Sequence, residues 1–510
     1  MCLPFLPSSF PLTFFCWQIK ALTRMGALFS YDVCVVGGGS AGIGAALAAS
    51  RAGRSVLIVE KGGELGGNAV RGGVHNWEPG VGGTAFPKEI YERMNRKPKA
   101  VGTWSIHRHV CWPGGNVPPF PGAELLLDPS MSYEDTLKRH GTKGLQQDFH
   151  KCVAQWHGVI FEPHAYTLAV EELLRETGNC EVWKHSAFLE AETSGAAVTG
   201  VRVTNGGESR SVRAEVFIDC TADGLLCRSA CCESAVGEDS RDVFGEPGAP
   251  LETAGQRVNA LTRIYRVTRS RQSAIEPAPP DVPADCWFLN EWPVVAVGQY
   301  PSGDLNINML PTMEGREFLA MISANPAAGY QQALIECERR IRGHWRHLQT
   351  GFPEFRSFKL SWIAPALGVR ESWRIIGDYV LTEHDLRRGL PAQGHPDIIA
   401  IADHALDTHG ESGRGCGELA QPYGIPLRCL LVKSSANLLV AGRCASFSHI
   451  AASSCRLSRT MMDLGHAAGL AATLAVKQSC TIRDINVAEL QNLLLSHGAT
   501  LDLARQALPA

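Results

Sequence analysis

The sequence YDVCVVGGGSAGIGAALAASRAGRSVLIVE, residues 31–60, predicts a strand, a glycine-rich turn, a helix and a second strand. Residues 32–36 form an apolar run typical of a strand buried on both faces. A G-x-G-x-x-G pattern follows where the helix should begin, formed by Gly37, Gly39 and Gly42. Glu60 lies 21 residues after Gly39, where a dinucleotide-binding fold places the acid that binds ribose hydroxyls. The complete pattern predicts a dinucleotide-binding unit rather than an isolated glycine-rich turn.

Composition limits the classes of function. The chain has 510 residues, enough for two or three domains, and its net charge of −3 and lack of basic blocks disfavour a nucleic-acid partner. The 17 cysteines are irregularly spaced and form no C-x-x-C pair. We therefore expect reduced thiols in a cytoplasmic protein and no metal site.

Residues 1–30 are apolar but interrupted by Pro4, Pro7 and Pro11, and they are too short and broken to span a bilayer. We interpret them as a disordered extension, or as sequence upstream of a true start at Met25. A secretory signal is the alternative and would place the protein in the periplasm or outside the cell. No other segment has the length of unbroken apolar sequence that a membrane helix needs.

Two later segments repeat the pattern of a buried strand followed by a small-residue turn. They are residues 215–224 and 436–443, and a small-residue helix, expected over residues 460–477 with Thr460 and Asp463 at its start, follows the second. Residues 200–214 read as a hairpin. The predicted organisation is a nucleotide-binding domain of three segments (31–80, 155–233 and 431–480), a substrate or cap domain (81–154 and 234–430) and a helical tail (481–510).

The ordered motifs GGGSAGIGAALAASRAG, LGGNAVRGG, FIDCTADG, GVRESWRIIGDYVLT and NLLVAGRCASFSHIAASSCRLSRTMMDLGHAAGLAA resemble the FAD-dependent oxidoreductases of the glutathione-reductase-like superfamily. Within that superfamily the chain is distantly similar to fumarate reductase and succinate dehydrogenase flavoproteins, from residue 31 to about residue 477. The resemblance implies an α/β enzyme, with a Rossmann-like FAD-binding domain built from discontinuous segments and an inserted α+β substrate domain.

The resemblance also implies which residues bind FAD. The pyrophosphate would be bound by Gly37, Gly39, Ser40, Ala41 and Gly42, and the adenosine ribose by Glu60 and Lys61. The turn at the adenine end would contain Thr221, Ala222 and Asp223. The flavin side would be lined by Gly67, Asn68 and Gly73, the ribityl chain and phosphate by Gly442 and Arg443, and the flavin O2 edge by the N–H groups of a helix at Leu464 and Gly465. Ala222 replaces the glycine usual in the family, which puts the backbone angle there in doubt. A helix N-terminus at the flavin would stabilise the negative charge that reduced flavin carries.

The candidates for chemistry on the substrate are histidines and arginines near the same turns. Arg370 lies in a motif similar to the family's G-x-R-E-S and would bind a substrate carboxylate or the flavin edge, or form a structural network with Glu371. His409 and His449 are alternative proton carriers, and either would otherwise make an ordinary hydrogen bond. The remaining candidates are Arg456 and Arg459, for an anionic substrate or the FAD phosphates, and His107, His109 and Trp112, for a lid or simply a surface loop.

Two absences in the sequence bear on the electron partner. No second G-x-G-x-x-G follows a strand, and no redox C-x-x-C is present. Both favour direct hydride exchange between flavin N5 and a small organic substrate, with electrons passed to or from a separate partner. Two alternatives to a flavin enzyme of this kind stay open. One is a flavin-binding regulatory or assembly protein with little turnover, and the other is an NAD(P)-binding dehydrogenase. The substrate and the oligomeric state stay open.

Overall fold

A computed structural model of the chain describes residues 29–106, 125–138, 155–252, 257–283, 294–410 and 415–503. Most of the N-terminal extension and the proposed lid residues, His107, His109 and Trp112, lie outside these ranges. The first strand begins at Phe29, so it includes the last two residues of the segment that we assigned to the extension. None of the helices in the described ranges contains an apolar stretch long enough to cross a bilayer.

The strands alternate with helices in the first part of the chain and cluster in the middle. In chain order, β1 to β21 are Phe29–Val36, Val56–Val59, Asn76–Trp77, Val101–Ile106, Leu125–Leu127, His157–Phe161, Cys180–Trp183, Phe188–Ser194, Ala197–Asn205, Glu208–Asp219, Ser234–Val236, Tyr265–Arg269, Val294–Gln299, Leu305–Leu310, Phe358–Ile363, Trp373–Ile375, Ile398–Ala402, Leu406–Thr408, Gly415–Gly417, Tyr423–Pro426 and Leu438–Val440.

The helices range from single turns to seven turns. In chain order, α1 to α12 are Ser40–Arg51, Phe86–Asn95, Pro163–Glu176, Leu225–Ser229, Arg241–Phe244, Gly315–Ala324, Pro326–Gly351, Glu383–Arg388, Leu390–Gln393, His449–Cys455, Ser458–Gln478 and Val487–Ser496. Short 3₁₀ helices occur at Gly67–Ala69, Glu134–Leu137, Pro353–Ser357 and Leu427–Cys429.

One sheet collects the three predicted segments of the nucleotide-binding domain. Strands β7, β2, β1, β10 and β21 run parallel in that order, and β9 and β8 add an antiparallel extension beside β10. The apolar runs predicted for β1 and β2 are buried on both faces, as a parallel sheet covered by helices requires. The predicted hairpin is confirmed as β9 and β10, joined by Gly206 and Gly207, which both have positive φ.

Helices α1 and α11 lie against each other on this sheet. Their facing positions are glycine and alanine, and a Cβ placed on Gly469 would lie 2.9 Å from the Ala48 Cβ. Without side chains between them the two backbones approach closely, which brings the start of α11 next to the start of α1. Helix α11 therefore joins the third segment of the chain to the first.

A second sheet of eight strands, in the order β15-β12-β14-β13-β5-β4-β6-β3, forms the other half of the molecule. Helix α7 covers it, with Trp345 and Leu348 buried against Tyr265 and Ile307 of the sheet. Strands β3 and β6 belong to this sheet, although our domain assignment placed residues 76–77 and 157–161 with the nucleotide-binding segments. The polypeptide thus passes from one sheet to the other more often than the predicted domain boundaries implied.

Candidate functional site

The glycine-rich turn after β1 is the meeting point of three distant segments. Gly37 has a φ of 108°, and a Cβ on it would lie 2.6 Å from the Cys220 carbonyl carbon of the second segment. A Cβ on Gly67 would lie 3.1 Å from the Gly39 Cα, and one on Gly442 would lie 3.6 Å from the Ala41 Cβ. The segments that the resemblance assigns to FAD binding therefore lie side by side.

The space beside Gly39 is open, because a Cβ placed there would meet no atom within 4 Å. Gly39 is also the N-cap of α1, which begins at Ser40, and no side chain caps this end. The first backbone N–H groups of a helix have no partner within the helix, and they attract anions. An open glycine surface at an uncapped helix N-terminus fits a pyrophosphate group.

Glu60 follows β2 and is 8% exposed. Its carboxylate accepts hydrogen bonds from the Gly38 N–H at 2.8 Å and the Gly62 N–H at 2.6 Å. These bonds hold the carboxylate at the edge of the glycine-rich turn, where the sequence pattern places a ribose-binding acid. The neighbouring Lys61 is exposed.

The turn after β10 adopts the conformation that the family's usual glycine would allow. Ala222 has a φ of 67°, so the left-handed angle is retained despite the Cβ. Thr221 donates a hydrogen bond to Asp219 Oδ1 at 2.7 Å. Asp223 forms an ion pair with Arg443. Burial would raise the pKa of Asp223, but the Arg443 guanidinium opposes this effect and the net result is a lowered pKa. This pair connects the second and third segments.

The expected start of the small-residue helix, which is α11 in the structure, was wrong. Helix α11 begins at Ser458, so Thr460 does not cap it, and Leu464 and Gly465 lie in its second turn. A Cβ on Gly465 would lie 2.7 Å from the Ala41 carbonyl carbon, which shows that Gly465 packs against α1. The N–H groups at the start of α11 that have no partner within the helix belong to residues 458–460 instead, because the Met461 N–H donates to the Leu457 carbonyl.

A cavity of about 470 Å³ lies against one face of the eight-stranded sheet. Alternate residues on neighbouring strands of the eight-stranded sheet form its floor, because alternate side chains of a strand point to the same face. We call these residues the apolar floor: Trp104 and Ile106 of β4, Leu125 of β5, Ile160 of β6, and Ala296 and Gly298 of β13. Residues Asn68, Arg443 and 457–460 also line the cavity, so the start of α11 opens onto it.

Opposite the floor is a set of ionisable side chains that we call the polar wall: Arg370, Asp407, His409 and Arg456. Asp407 and His409 lie two residues apart on and just after β18, and His409 Nε2 is 2.8 Å from Asp407 Oδ2. Arg456 Nη2 donates to the same oxygen at 2.5 Å. Arg370 Nη1 donates to the Ala260 carbonyl at 2.9 Å and to Thr262 Oγ1 at 2.7 Å.

The charges of the polar wall affect one another. Burial and the nearby Arg456 guanidinium lower the pKa of Arg370 to about 9. Burial and the Arg370 charge lower the pKa of His409, although Asp407 partly opposes this. Burial would raise the pKa of Asp407, but its interactions with His409 and Arg456 hold that pKa well below the usual range of a carboxyl group. At neutral pH the imidazole is therefore neutral between two cations and one carboxylate.

His449 does not line the cavity formed by the described residues. It is 1% exposed at the start of α10, and its Nδ1 lies 2.8 Å from Glu371 Oε1. The Glu371 carboxylate raises the pKa of His449 against the effect of burial. Glu371 also accepts a hydrogen bond from the Asn259 N–H, and the Asn259 side chain accepts one from the His409 N–H. The structure thus places His449 and Glu371 behind the polar wall.

Two other predicted residues have mainly structural contacts. Arg459 donates hydrogen bonds to Thr136 Oγ1, to the Thr136 carbonyl and to the Glu78 carbonyl. Gly73 has a φ of 80° and packs against Ile264. These contacts hold the loop after β3 and the glycine-rich segment 61–74 at the edge of the cavity.

Several residues that line the cavity carry a buried polar atom that has no hydrogen-bond partner in the described part of the chain. These atoms are Trp77 Nε1, Asn308 Oδ1, His404 Nδ1, Arg443 Nε and Arg456 Nε. Buried polar groups are rarely left unpaired in native proteins, so their grouping around one cavity fits a site that binds a polar ligand. The residues present therefore fit a dinucleotide cofactor and a second small molecule beside it.

Sequence reasoning missed most of the cavity. The spacing of Asp407 and His409 was an available signal, since residues two apart in a strand share a face. The aromatic part of the floor, Trp104, and the buried His75 gave no signal, because their strands are short and follow no clear period. His75 Nε2 lies 2.9 Å from the Val70 carbonyl, and burial lowers the pKa of His75 to about 4.

Several solved structures are distantly similar to the chain. The chain is similar in structure to a geranylgeranyl bacteriochlorophyll reductase-like protein from Thermoplasma acidophilum, with 14% identity, a TM-score of 0.44, and 92% of this chain and 83% of that chain covered. It is also similar to the p-nitrophenol 4-monooxygenase of Pseudomonas putida DLL-E4, with 14% identity, a TM-score of 0.40, and 92% and 84% covered. A third similar structure is the myxobacterial chondrochloren halogenase, with 11% identity, a TM-score of 0.39, and 92% and 79% covered.

The sequence comparison covers nearly the whole chain. The family described as "FAD dependent oxidoreductase" matches residues 32–494, which include all three segments at the glycine-rich turn and both sheets. The protein is an enzyme whose cofactor is FAD, and it belongs to the FAD-dependent oxidoreductase family.

Proposed function

We propose that the protein exchanges a hydride between N5 of its FAD and a small organic substrate held between the apolar floor and the polar wall. The observation that carries this proposal is the shared cavity. It brings Arg370 and His409 together with Asn68, Arg443 and the start of α11, although these residues come from separate parts of the chain. The electrons then pass to or from a separate partner, as the single G-x-G-x-x-G motif behind a strand favours.

In this proposal His409 takes or returns the proton that accompanies hydride exchange. Asp407 accepts from Nε2, so in the neutral ring the hydrogen is on Nε2 and Nδ1 is the basic nitrogen. The lowered pKa of His409 keeps the ring in this neutral form, which is the form of a general base. Arg456 fixes the position of the Asp407 carboxylate and thereby the orientation of the ring.

The cofactor-binding roles are part of the same proposal. Gly39, Ser40, Ala41 and Gly42 bind the pyrophosphate at the N-terminus of α1, and Glu60 binds the adenosine ribose. Asn68, Arg443 and the start of α11 face the flavin. The positive end of the α11 dipole favours negative charge at this position, which supports electron transfer into the site.

Anaerobic mixing tests the proposed reaction. The yellow protein is mixed with a panel of small acids, alcohols, sugars and amines, and the flavin absorbance is followed without oxygen. We expect members of one chemical class to bleach the flavin. If dithionite bleaches it and every compound of the panel fails in both redox directions, the proposed exchange is wrong.

Two histidine variants test the role of His409. The change His409→Ala should lower turnover about 10²- to 10⁴-fold, the usual contribution of a general acid or base. Flavin content should not change, because His409 is bonded to Asp407 and Asn259 rather than to the glycine-rich turn. His164→Ala is the matched control, since His164 is exposed on α3. Full activity in His409→Ala would exclude it as the proton carrier.

A further inference from the structure

We propose that the substrate is a carboxylic acid with an apolar, flat or extended body. This inference rests on the proposed function, because it concerns the ligand of the same cavity. The carboxylate would bind the two arginines of the polar wall, and the body would lie on the apolar floor.

The polar wall has unused hydrogen-bond donors. Arg370 makes its hydrogen bonds through Nη1, and its Nε and Nη2 have no partner among the residues that the structure describes. Arg456 uses Nη2 for Asp407, and its buried Nε has no partner. A planar guanidinium with two free donors on one edge matches a carboxylate, which accepts two parallel hydrogen bonds.

The charge balance of the polar wall also favours an anion. Asp407 is the one carboxylate of the polar wall, against the two guanidinium groups of Arg370 and Arg456, and the neutral His409 adds no charge. The Glu78 carboxylate also acts on Arg370. Three further acidic residues line the cavity: Glu78 lies 3.1 Å from His404 Nε2, Asp403 accepts from the Val81 N–H, and Glu418 follows β19. A second anion placed between the guanidinium groups would relieve their repulsion, whereas a cation would add to it.

The floor is unsuited to a second charge. Trp104, Ile106 and Ile160 are each 1% exposed, and they bring apolar surface to the cavity. Ala296 on β13 adds only a methyl group to this surface, and Gly298 lets Ile160 approach the strand, since a Cβ there would lie 3.0 Å from Ile160 Cδ1. The arginines that line the cavity come from loops and from the start of α11, and none comes from the strands of the floor. A dicarboxylate would bury its second charge here without a partner, at a high cost in desolvation.

The asparagines of β3 and β14 that line the cavity are uncharged, and the buried Oδ1 of one of them, Asn308, has no partner among the described residues, whereas the other two are hydrogen-bonded. Asn76 accepts from Trp104 Nε1 at 2.6 Å, and Asn306 donates to the Gly73 carbonyl and to Tyr300 Oη. They complete the floor without offering a second site for an anion. An apolar body therefore gains most from this surface, through the area that it removes from water.

Isothermal titration calorimetry on the oxidised holoenzyme tests the inference independently of turnover. The probe is 3-phenylpropanoate, compared with the neutral 3-phenylpropanamide and with succinate. We expect the acid to bind at least about 10-fold more tightly than the amide, as hydrogen bonds to a charged group imply. Succinate should bind more weakly than the acid. Equal binding of acid and amide, tighter binding of succinate, or no binding of the acid would each overturn the proposal.

Two variants locate the halves of the ligand. Arg370→Gln should weaken binding of 3-phenylpropanoate about 10- to 100-fold and leave that of the amide unchanged. Ala296→Leu should weaken binding of both phenyl compounds, because the larger side chain fills space above the floor. The control is Arg202→Gln, which removes an exposed arginine paired with Glu190 far from the cavity.

Flavin content separates this inference from its alternatives. Loss of FAD in Arg370→Gln with unchanged affinity for the acid would assign the guanidinium to the cofactor and overturn the proposal. Unchanged binding of the phenyl compounds in Ala296→Leu would exclude the floor as their site. If the acids bind as expected and no compound exchanges electrons with the flavin, the proposed function is wrong and the ligand class stands. If only neutral compounds bleach the flavin and no acid binds, the ligand class is wrong and the function stands.

Discussion

The contact between α1 and α11 leads to a quantitative prediction. At Gly465 a Cβ would lie 2.7 Å from the Ala41 carbonyl carbon and 2.9 Å from the Ala41 Cα. Both are backbone atoms of a buried helix, so they cannot rotate away as a side chain can. The change Gly465→Ala therefore forces the two helices apart and displaces Ala41, which lies in the first turn of α1 beside the proposed pyrophosphate site.

The magnitude follows from two opposing effects. Overpacking of a buried contact usually costs about 1 to 3 kcal/mol, and a clash with backbone belongs at the upper end. Alanine is more favourable than glycine within a helix by about 1 kcal/mol. We expect a net loss of about 2 kcal/mol in the free energy of unfolding, together with weaker FAD binding, because the displaced α1 N-terminus no longer fits the phosphates.

Urea denaturation followed by tryptophan fluorescence measures the stability, and titration of the apoprotein with FAD measures the affinity. Gly351→Ala is the matched control, because Gly351 is exposed at the end of α7 and a Cβ there would meet no atom within 4 Å. This control should be as stable as the parent or slightly more stable. If Gly465→Ala behaves like Gly351→Ala in both measurements, the inferred contact between the helices is wrong.

Two further predictions concern a turn and a charge. Ala222→Gly should stabilise the protein by about 0.5 to 1 kcal/mol, because glycine adopts the φ of 67° without strain. Urea denaturation measures this change, and a lowered urea midpoint would contradict the prediction. Asp407→Asn and Arg370→Gln should shift the acid limb of the kcat–pH profile in opposite directions. In Asp407→Asn the loss of the carboxylate lowers the pKa of His409 further, so the acid limb moves to lower pH. In Arg370→Gln the loss of the cation raises the pKa of His409, so the acid limb moves to higher pH. Shifts in the same direction would refute the assignment of His409 as the base.

The nucleotide-binding sheet could be predicted because its signals are local. Strands β1, β10 and β21 each end in a short apolar run followed by a turn of small residues, and the order of these motifs resembled that of an FAD enzyme before any contact was known. Strands β3 and β6 were not predicted, and their residues were assigned to the nucleotide-binding segments, because a strand of two to five residues carries little information about its partner. The start of α11 was misplaced because Thr460 and Asp463 imitate a cap, whereas the chain enters the helix at Leu457 without one.

The candidate site could be predicted only in part. Arg370 and His409 were identified from motifs, and the structure places both in one cavity. The choice between His409 and His449 needed coordinates, since both have a carboxylate partner within 2.8 Å and differ only in which side of the polar wall they occupy. The role of Arg456 as a partner of Asp407 links residues 49 positions apart, and no sequence period connects them.

The sequence by itself indicated a dinucleotide-binding unit, because phosphate binding needs particular glycines at fixed spacing within one continuous segment. The resemblance of its ordered motifs to a family implied FAD and the class of enzyme. Tertiary structure alone decided which side chains face the substrate. The floor of the cavity is the face of a sheet whose strands come from residues 76–161 and 265–363. Which face a strand presents, and to which neighbour, depends on long-range pairing, so the shape and charge of the cavity arise only when the two sheets pack together.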